Sequence, residues 1–152
     1  MSEALEALAK LLHAESGDGR ALVNSPEDNP VCSISLDHEI RCVEIVWKRY
    51  ATSVQLRYAH EWLLMLLQKN QFSRVLGDDS ALPTIHADDQ AWIATDWLPR
   101  ASAAGLKRAA NKQPASQFAQ LAIQQLRALS SGSVAFGSFA DLDSARNWLR
   151  TF

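Results

Sequence analysis

Between residues 77 and 89 the chain carries its densest set of reactive side chains, Asp78, Asp79 and Ser80 in one turn followed by His86, Asp88 and Asp89. Oxygen ligands grouped behind a strand are what a hard divalent cation requires, and the carboxyl ends of parallel strands are where open α/β sheets bind ligands. The same residues have a plainer use: Asp88 or Asp89 caps the next helix, the others solvate a turn, and His86 is exposed. No EF-hand spacing is present and no second cluster supplies remote ligands, so the sequence predicts no metal. An aspartyl phosphoacceptor would need a lysine after the last strand, where Gly137-Ser138-Phe139 has none. His13, His38, His60 and His86 are accompanied by neither a Gly-x-Ser-x-Gly elbow nor a His-Glu-x-x-His pairing. The glycines are scattered rather than gathered into a phosphate loop. These residues predict no catalytic group and no cofactor.

The tryptophans stand out more. Trp47, Trp62, Trp92, Trp97 and Trp148 each bring a large apolar area and one donor, which suits cores, pockets and interfaces alike. Trp92 and Trp97 lie five apart on one predicted helix, so about 140° separates them and both cannot face the same core. One is expected to line the sheet while the other meets a ligand, the segment after Pro99 or a partner chain. Lys107, Arg108 and Lys112 form a small basic patch that reads as solvated surface. By residue type, the candidates for ligand or partner binding are Trp92, Trp97, Arg100, Asp78, Asp79 and Lys107.

The elements that position these residues must fit in 152 residues, the size of one domain. A net charge of −2 without blocks of either sign lacks the basic footprint of a nucleic-acid binder. The longest apolar run, Trp62 to Leu67, is too short to cross a bilayer, and the acidic start does not read as a signal peptide. Cytoplasmic residence is the default expectation. Cys32 and Cys42 read as two partly buried thiols rather than a disulfide; a turn centred on His38 would set Cys42 opposite Ile34.

Residues 2–14 place Leu5, Leu8, Ala9 and Leu12 at helical spacing, and the Gly-, Ser-, Asp- and Pro-rich stretch after them reads as a linker. Residues 1–29 are thus expected as a helical appendage and linker, and residues 30–152 as the domain. From Val31 a period-two pattern sets Cys32, Ile34 and Leu36 on one face, and a second strand over 40–47 completes a hairpin. A helix over 53–69 opens with a Thr52/Gln55 capping box. A strand over 72–76 follows, then a helix from Asp88 or Asp89 that Pro99 kinks or ends and Gly105 closes. A weak strand over 106–111, a Ser116-capped helix over 117–129, a strand over 134–139 and an Asp141-capped helix complete the chain. Phe118, Leu121, Ala122, Gln125, Leu126 and Leu129 recur at helical intervals along the Ser116-capped helix. The order β-β-α-β-α-β-α-β-α predicts an α/β fold with a five-stranded, mostly parallel sheet and one antiparallel edge hairpin.

Several motifs share an order with a known group: Trp47 and Tyr50 before the first long helix, Arg74-Val75-Leu76-Gly77-Asp78, Asp89-x-x-Trp92 followed by Trp97-Leu98-Pro99, Gly105-Leu106-Lys107-Arg108, and Phe139-x-Asp141-x-x-x-Ala145-x-x-Trp148-Leu149. In these the chain from about Val31 onward resembles the SpoIIAA-like proteins, related to STAS and Sec14-type lipid-binding domains, and in particular short bacterial members without an assigned activity. The resemblance implies helices mainly on one face of the sheet and no catalytic machinery. It also implies action as a regulatory module through protein contacts, or alternatively through a small apolar, lipid-like ligand; the surplus tryptophan and the apolar N-terminal helix add contact with its own copy as an expectation. Sporulation-type members carry a phosphorylated serine in Asp-Ser-Ser/Thr-Gly; here Asp79-Ser80-Ala81-Leu82 lacks the glycine, so that switch is not carried over.

Overall fold

A computed structural model describes residues 15–17 and 20–24 as strands, and residues 30–130 and 132–151 in full. The strands are β1 (Glu15–Gly17), β2 (Arg20–Asn24), β3 (Pro30–Asp37), β4 (Cys42–Trp47), β5 (Arg74–Asp78), β6 (Arg108–Lys112) and β7 (Ala135–Phe139). The helices are α1 (Ser53–Asn70), α2 (Ala87–Trp92), α3 (Leu98–Ala103), α4 (Gln117–Leu129) and α5 (Leu142–Arg150), with a π-helical turn, Ile93–Trp97, joining α2 to α3. From Pro30 onward the element order is the expected one. The predicted helix over 2–14 lies outside the described residues. Within the stretch read as a linker, β1 and β2 pair antiparallel and β2 pairs with β3, so the sheet gains two strands at that edge. Ala21-Leu22-Val23 is a short apolar run that the surrounding Gly, Asp and Pro obscured.

Strands β4 to β7 lie side by side in chain order and run parallel. Right-handed crossovers taken repeatedly in one direction put every connecting helix on the same face. That face presents Val43, Ile45, Trp47, Val75 and Phe136 to Leu56, Leu63, Leu67, Leu98 and Leu126. The opposite face presents Cys42, Leu76 and Ala110, covered by Ala145 and Leu149 of α5. Period-two alternation therefore divides each strand between two cores.

The β3–β4 register sets Asp37 opposite Cys42, Ile34 opposite Ile45 and Cys32 opposite Trp47. This corrects the His38-centred turn: Asp37 Oδ1 accepts from the Glu39 and Ile40 amides and closes a longer loop. Cys32 and Cys42 consequently face opposite sides of the sheet, and both are buried.

Helix α1 carries the expected box, with Thr52 Oγ1 accepting from Gln55 N at 3.3 Å and Gln55 Oε1 from Thr52 N at 3.0 Å. Ser116 and Asp141 cap α4 and α5 as expected. Helix α2 departs from expectation. Its N-cap is His86, without a side-chain cap bond, and Asp89 turns inward to accept from Ser53 Oγ at 2.7 Å and Arg57 Nε at 3.0 Å. Burial of Asp89 is tenable only with those donors.

Pro99 neither ends nor sharply breaks the helical run, because the turn before it is widened: Leu98 N–H bonds the Ile93 carbonyl, five residues back. A π turn relaxes the backbone where the proline ring and missing donor would otherwise conflict with an α-helical ladder. The run then ends as predicted at Gly105, whose φ is 113°. Gly105 N bonds Ser102 O and Leu106 N bonds Ala101 O at 2.9 Å, the paired closure of a Schellman stop. A side chain at this φ is strained, so Gly105→Ala should lower stability by about 1–2 kcal/mol, measured by urea unfolding at constant m-value.

Candidate functional site

Between the sheet and the helical layer lies a cavity of about 130 Å³. Its walls are mostly apolar: Ile45, Trp47, Val75 and Phe136 from the sheet, Leu63 from α1, Ile93 and Trp97 from the π turn, and Leu126 from α4. Gly77 and Ala109 supply the room, being small residues at inward positions of the two central strands. At Gly77 a Cβ would stand 3.1 Å from Asp79 Oδ1, so the glycine also admits that carboxyl over the sheet.

His60 joins the wall from α1. Its Nδ1–H donates to Leu56 O at 2.8 Å, and its own backbone carbonyl accepts from Trp97 Nε1 at 2.7 Å. The ring packs among Trp47, Trp92 and Trp97, at 4.9 Å from Trp97. Burial pushes its pKa down to about 4, against the partly opposing Leu56 bond and the charges of Glu61 and Asp89. At neutral pH this wall is therefore uncharged.

The carboxyl ends of β5, β6 and β7 contribute the polar part. Asn111 Nδ2 donates to Asp79 Oδ2 at 2.8 Å, and Asn111 Oδ1 accepts from Ser138 Oγ at 2.7 Å and Arg127 Nη2 at 3.2 Å. Arg127 Nη1 donates to Ser138 Oγ at 2.7 Å. Asp79, Asn111 and Arg127 all line the cavity. Burial pushes the Asp79 pKa up to about 6, against the Asn111 bond and the Arg127 charge, with Asp78 adding to the rise. Burial also lowers the Arg127 pKa, opposed by Asp79.

Of the sequence candidates, the structure brings Asp79 and Trp97 to the cavity and places the rest elsewhere. Asp78 points to the other face and accepts from Ser80 N and Oγ, at 3.1 and 2.6 Å, tightening the turn. Trp92 is half-buried between the Arg57 and Arg100 guanidiniums, at 5.1 and 5.9 Å. Arg100 is committed to Glu61 and Asp96, and Lys107 is exposed at the opposite end of the strands. The supposed acidic cluster is dispersed as well. His86 bonds Tyr50 Oη at 2.7 Å and Asp89 serves Arg57; among the described residues no three His, Cys, Asp or Glu side chains are gathered to hold a metal. Trp97 is buried on the cavity wall while Trp92 is half-buried between two arginines, so the two do not share one core, although the wide i→i+5 turn leaves both rings touching His60. Asn111, Ser138, Arg127 and His60 were not anticipated. Asn111 alone left a signal, a polar residue sharing the inward face of β6 with Ala109.

No family model matches the chain, and no curated protein matches it in sequence.

Asp79 and His60 bias stability in opposite directions. Asp79 takes up a proton on folding, so its contribution falls as pH rises from about 4 to about 6; His60 gives one up, so its contribution rises with pH between about 4 and 6.5. Asp79→Asn keeps the Asn111 bond and removes the buried charge. It should raise stability at pH 7.5 by about 1–3 kcal/mol and leave a curve that climbs with pH through the His60 window, measured by denaturant unfolding from pH 4 to 8.

Proposed function

We propose that the protein is a non-catalytic binding module that takes a small, largely apolar molecule into the cavity between its sheet and helices. The observation carrying this reading is the cavity itself, walled by Trp47, Trp97, Phe136 and neutral His60 and edged by a few convergent polar groups, the usual composition of ligand sites. Its volume of about 130 Å³ is close to that of a protein cavity of roughly 150 Å³ that holds benzene, so a single ring or a short aliphatic chain is the size class. The π turn at its wall supports the same reading, because such turns concentrate at functional sites. Five strands from Pro30 with helices mainly on one face also support kinship with the SpoIIAA-like proteins and their ligand-binding relatives.

2-Phenylethanol is a suitable probe. It should raise Tm and alter tryptophan emission, since Trp47 and Trp97 both line the space. Ala109→Leu fills the floor beside Val75 and Phe136; it should abolish both responses while the unliganded protein stays folded. An unchanged Tm and spectrum for the native protein at millimolar probe sinks the proposal.

A second reading, contact with a partner protein or with its own copy, is favoured by one surface. Phe118, Leu121 and Leu129 are 78%, 53% and 54% exposed, although their spacing suggested burial. Helix α4 buries only Ala119, Ala122 and Leu126 against the layer, which leaves this apolar stripe outside. Sedimentation velocity should detect a self-associated species that Phe118→Glu dissociates; a monomer at high concentration, indifferent to that change, would exclude self-association.

A further inference from the structure

The polar chain that edges the cavity also lines a second space on its outer side. This outer pocket, about 190 Å³, is bounded by Gln113 and Pro114 after β6, Gln120 and Gln124 on α4, and Ser138 on β7, and it shares Asn111, Ile123 and Arg127 with the inner cavity. Arg127 thus stands in the partition between an apolar chamber and a pocket rich in side-chain amides.

Among the described residues the guanidinium is not paired with an anion. Its partners are the neutral oxygens Ser138 Oγ and Asn111 Oδ1, and its plane lies over Phe136, 5.2 Å from the ring centroid. Among the described residues no carboxylate forms an ion pair with it; Asp79 is reached only through Asn111. Two N–H groups are engaged, which leaves Nε–H and further Nη protons for an incoming acceptor. The Asp79 charge acts on it through space but makes no contact pair with it; a half-buried cation without a contact counter-ion is costly, and a planar fork of donors matches a carboxylate. Gln113 and Gln124, both exposed, add amide donors around the same point.

We propose that the ligand is a small organic carboxylate, its oxygen pair docked on Arg127 at the partition and its apolar body lying in the inner cavity against Trp97 and Phe136. This rests on the cavity reading above and names the chemistry of its polar end. Asp79, on the other side of Asn111, opposes the anion and sets a ceiling on its affinity.

Phenylacetate and 2-phenylethanol share one body and differ at that end, so titration calorimetry of the full chain with both measures the preference directly. The native protein should favour the acid by about tenfold at pH 7.5. Arg127→Gln should bring the preference to about unity, Arg127→Lys should keep part of it because the charge remains without the fork, and Asp79→Asn should increase it. Near-ultraviolet circular dichroism verifies that each variant is folded, and if Arg127→Gln is not, the Lys and Asn variants decide. Equal binding of acid and alcohol by the native protein, or an Arg127 change that leaves the preference intact, overturns the carboxylate assignment while the cavity reading stands. Binding of neither compound overturns both.

Discussion

The bond from Leu98 N–H to the Ile93 carbonyl sets the geometry of everything that lies over the sheet. One extra residue in that turn lets Pro99 stay inside a continuous helical run, and it swings Trp97 beneath α1, where its indole N–H is satisfied by the His60 carbonyl. An α-helical turn there would meet the proline with a clash and would send Trp92 and Trp97 to different sides. With the wide turn, both rings bracket His60, and the helical layer bridges the small residues Gly77 and Ala109 without filling the space above them.

That space needs both halves of the chain's chemistry. Apolar residues from strands β4 to β7 and from α1, the π turn, α3 and α4 form its walls, and neutral His60 keeps them free of charge. At the carboxyl ends of the strands, Asp79, Asn111, Ser138 and Arg127 form one hydrogen-bonded chain. Opposite charges at its two ends are separated by an amide, so neither is neutralised as a contact pair would neutralise it. Such a network holds together only while each member is satisfied. It places polar chemistry at one edge of an otherwise apolar chamber, at the end of the sheet where parallel folds commonly bind ligands.

Much of the fold is legible in the sequence because its signals are local. Capping by Thr52, Ser116 and Asp141, the glycine stop at Gly105 and the period-two strand at Cys32, Ile34 and Leu36 each depend on a few neighbouring residues. The departures depend on distant partners. Asp89 reads as a cap until Arg57, 32 residues earlier, claims it. Phe118 and Leu121 have the spacing of a core stripe, yet α4 meets the layer through small residues, and that choice is made by the depth of the layer. For the site, Asp79 and Trp97 are legible by type, whereas Arg127 looks like any helix-end cation until the registers of β6, β7 and α4 bring it to Asn111 and Ser138. The π turn has no signature beyond Pro99 itself.

Helix α5 closes the sheet's other face, and its ionic links reach far along the chain: Arg146 to Glu44 across 102 residues and Arg150 to Glu39 across 111. Links of that span form only after the chain between them is already organised, because closing so long a loop carries a large entropic penalty. By that loop-closure argument the reverse side of the sheet, sealed by a single nine-residue helix, is expected to close after the helical side has formed.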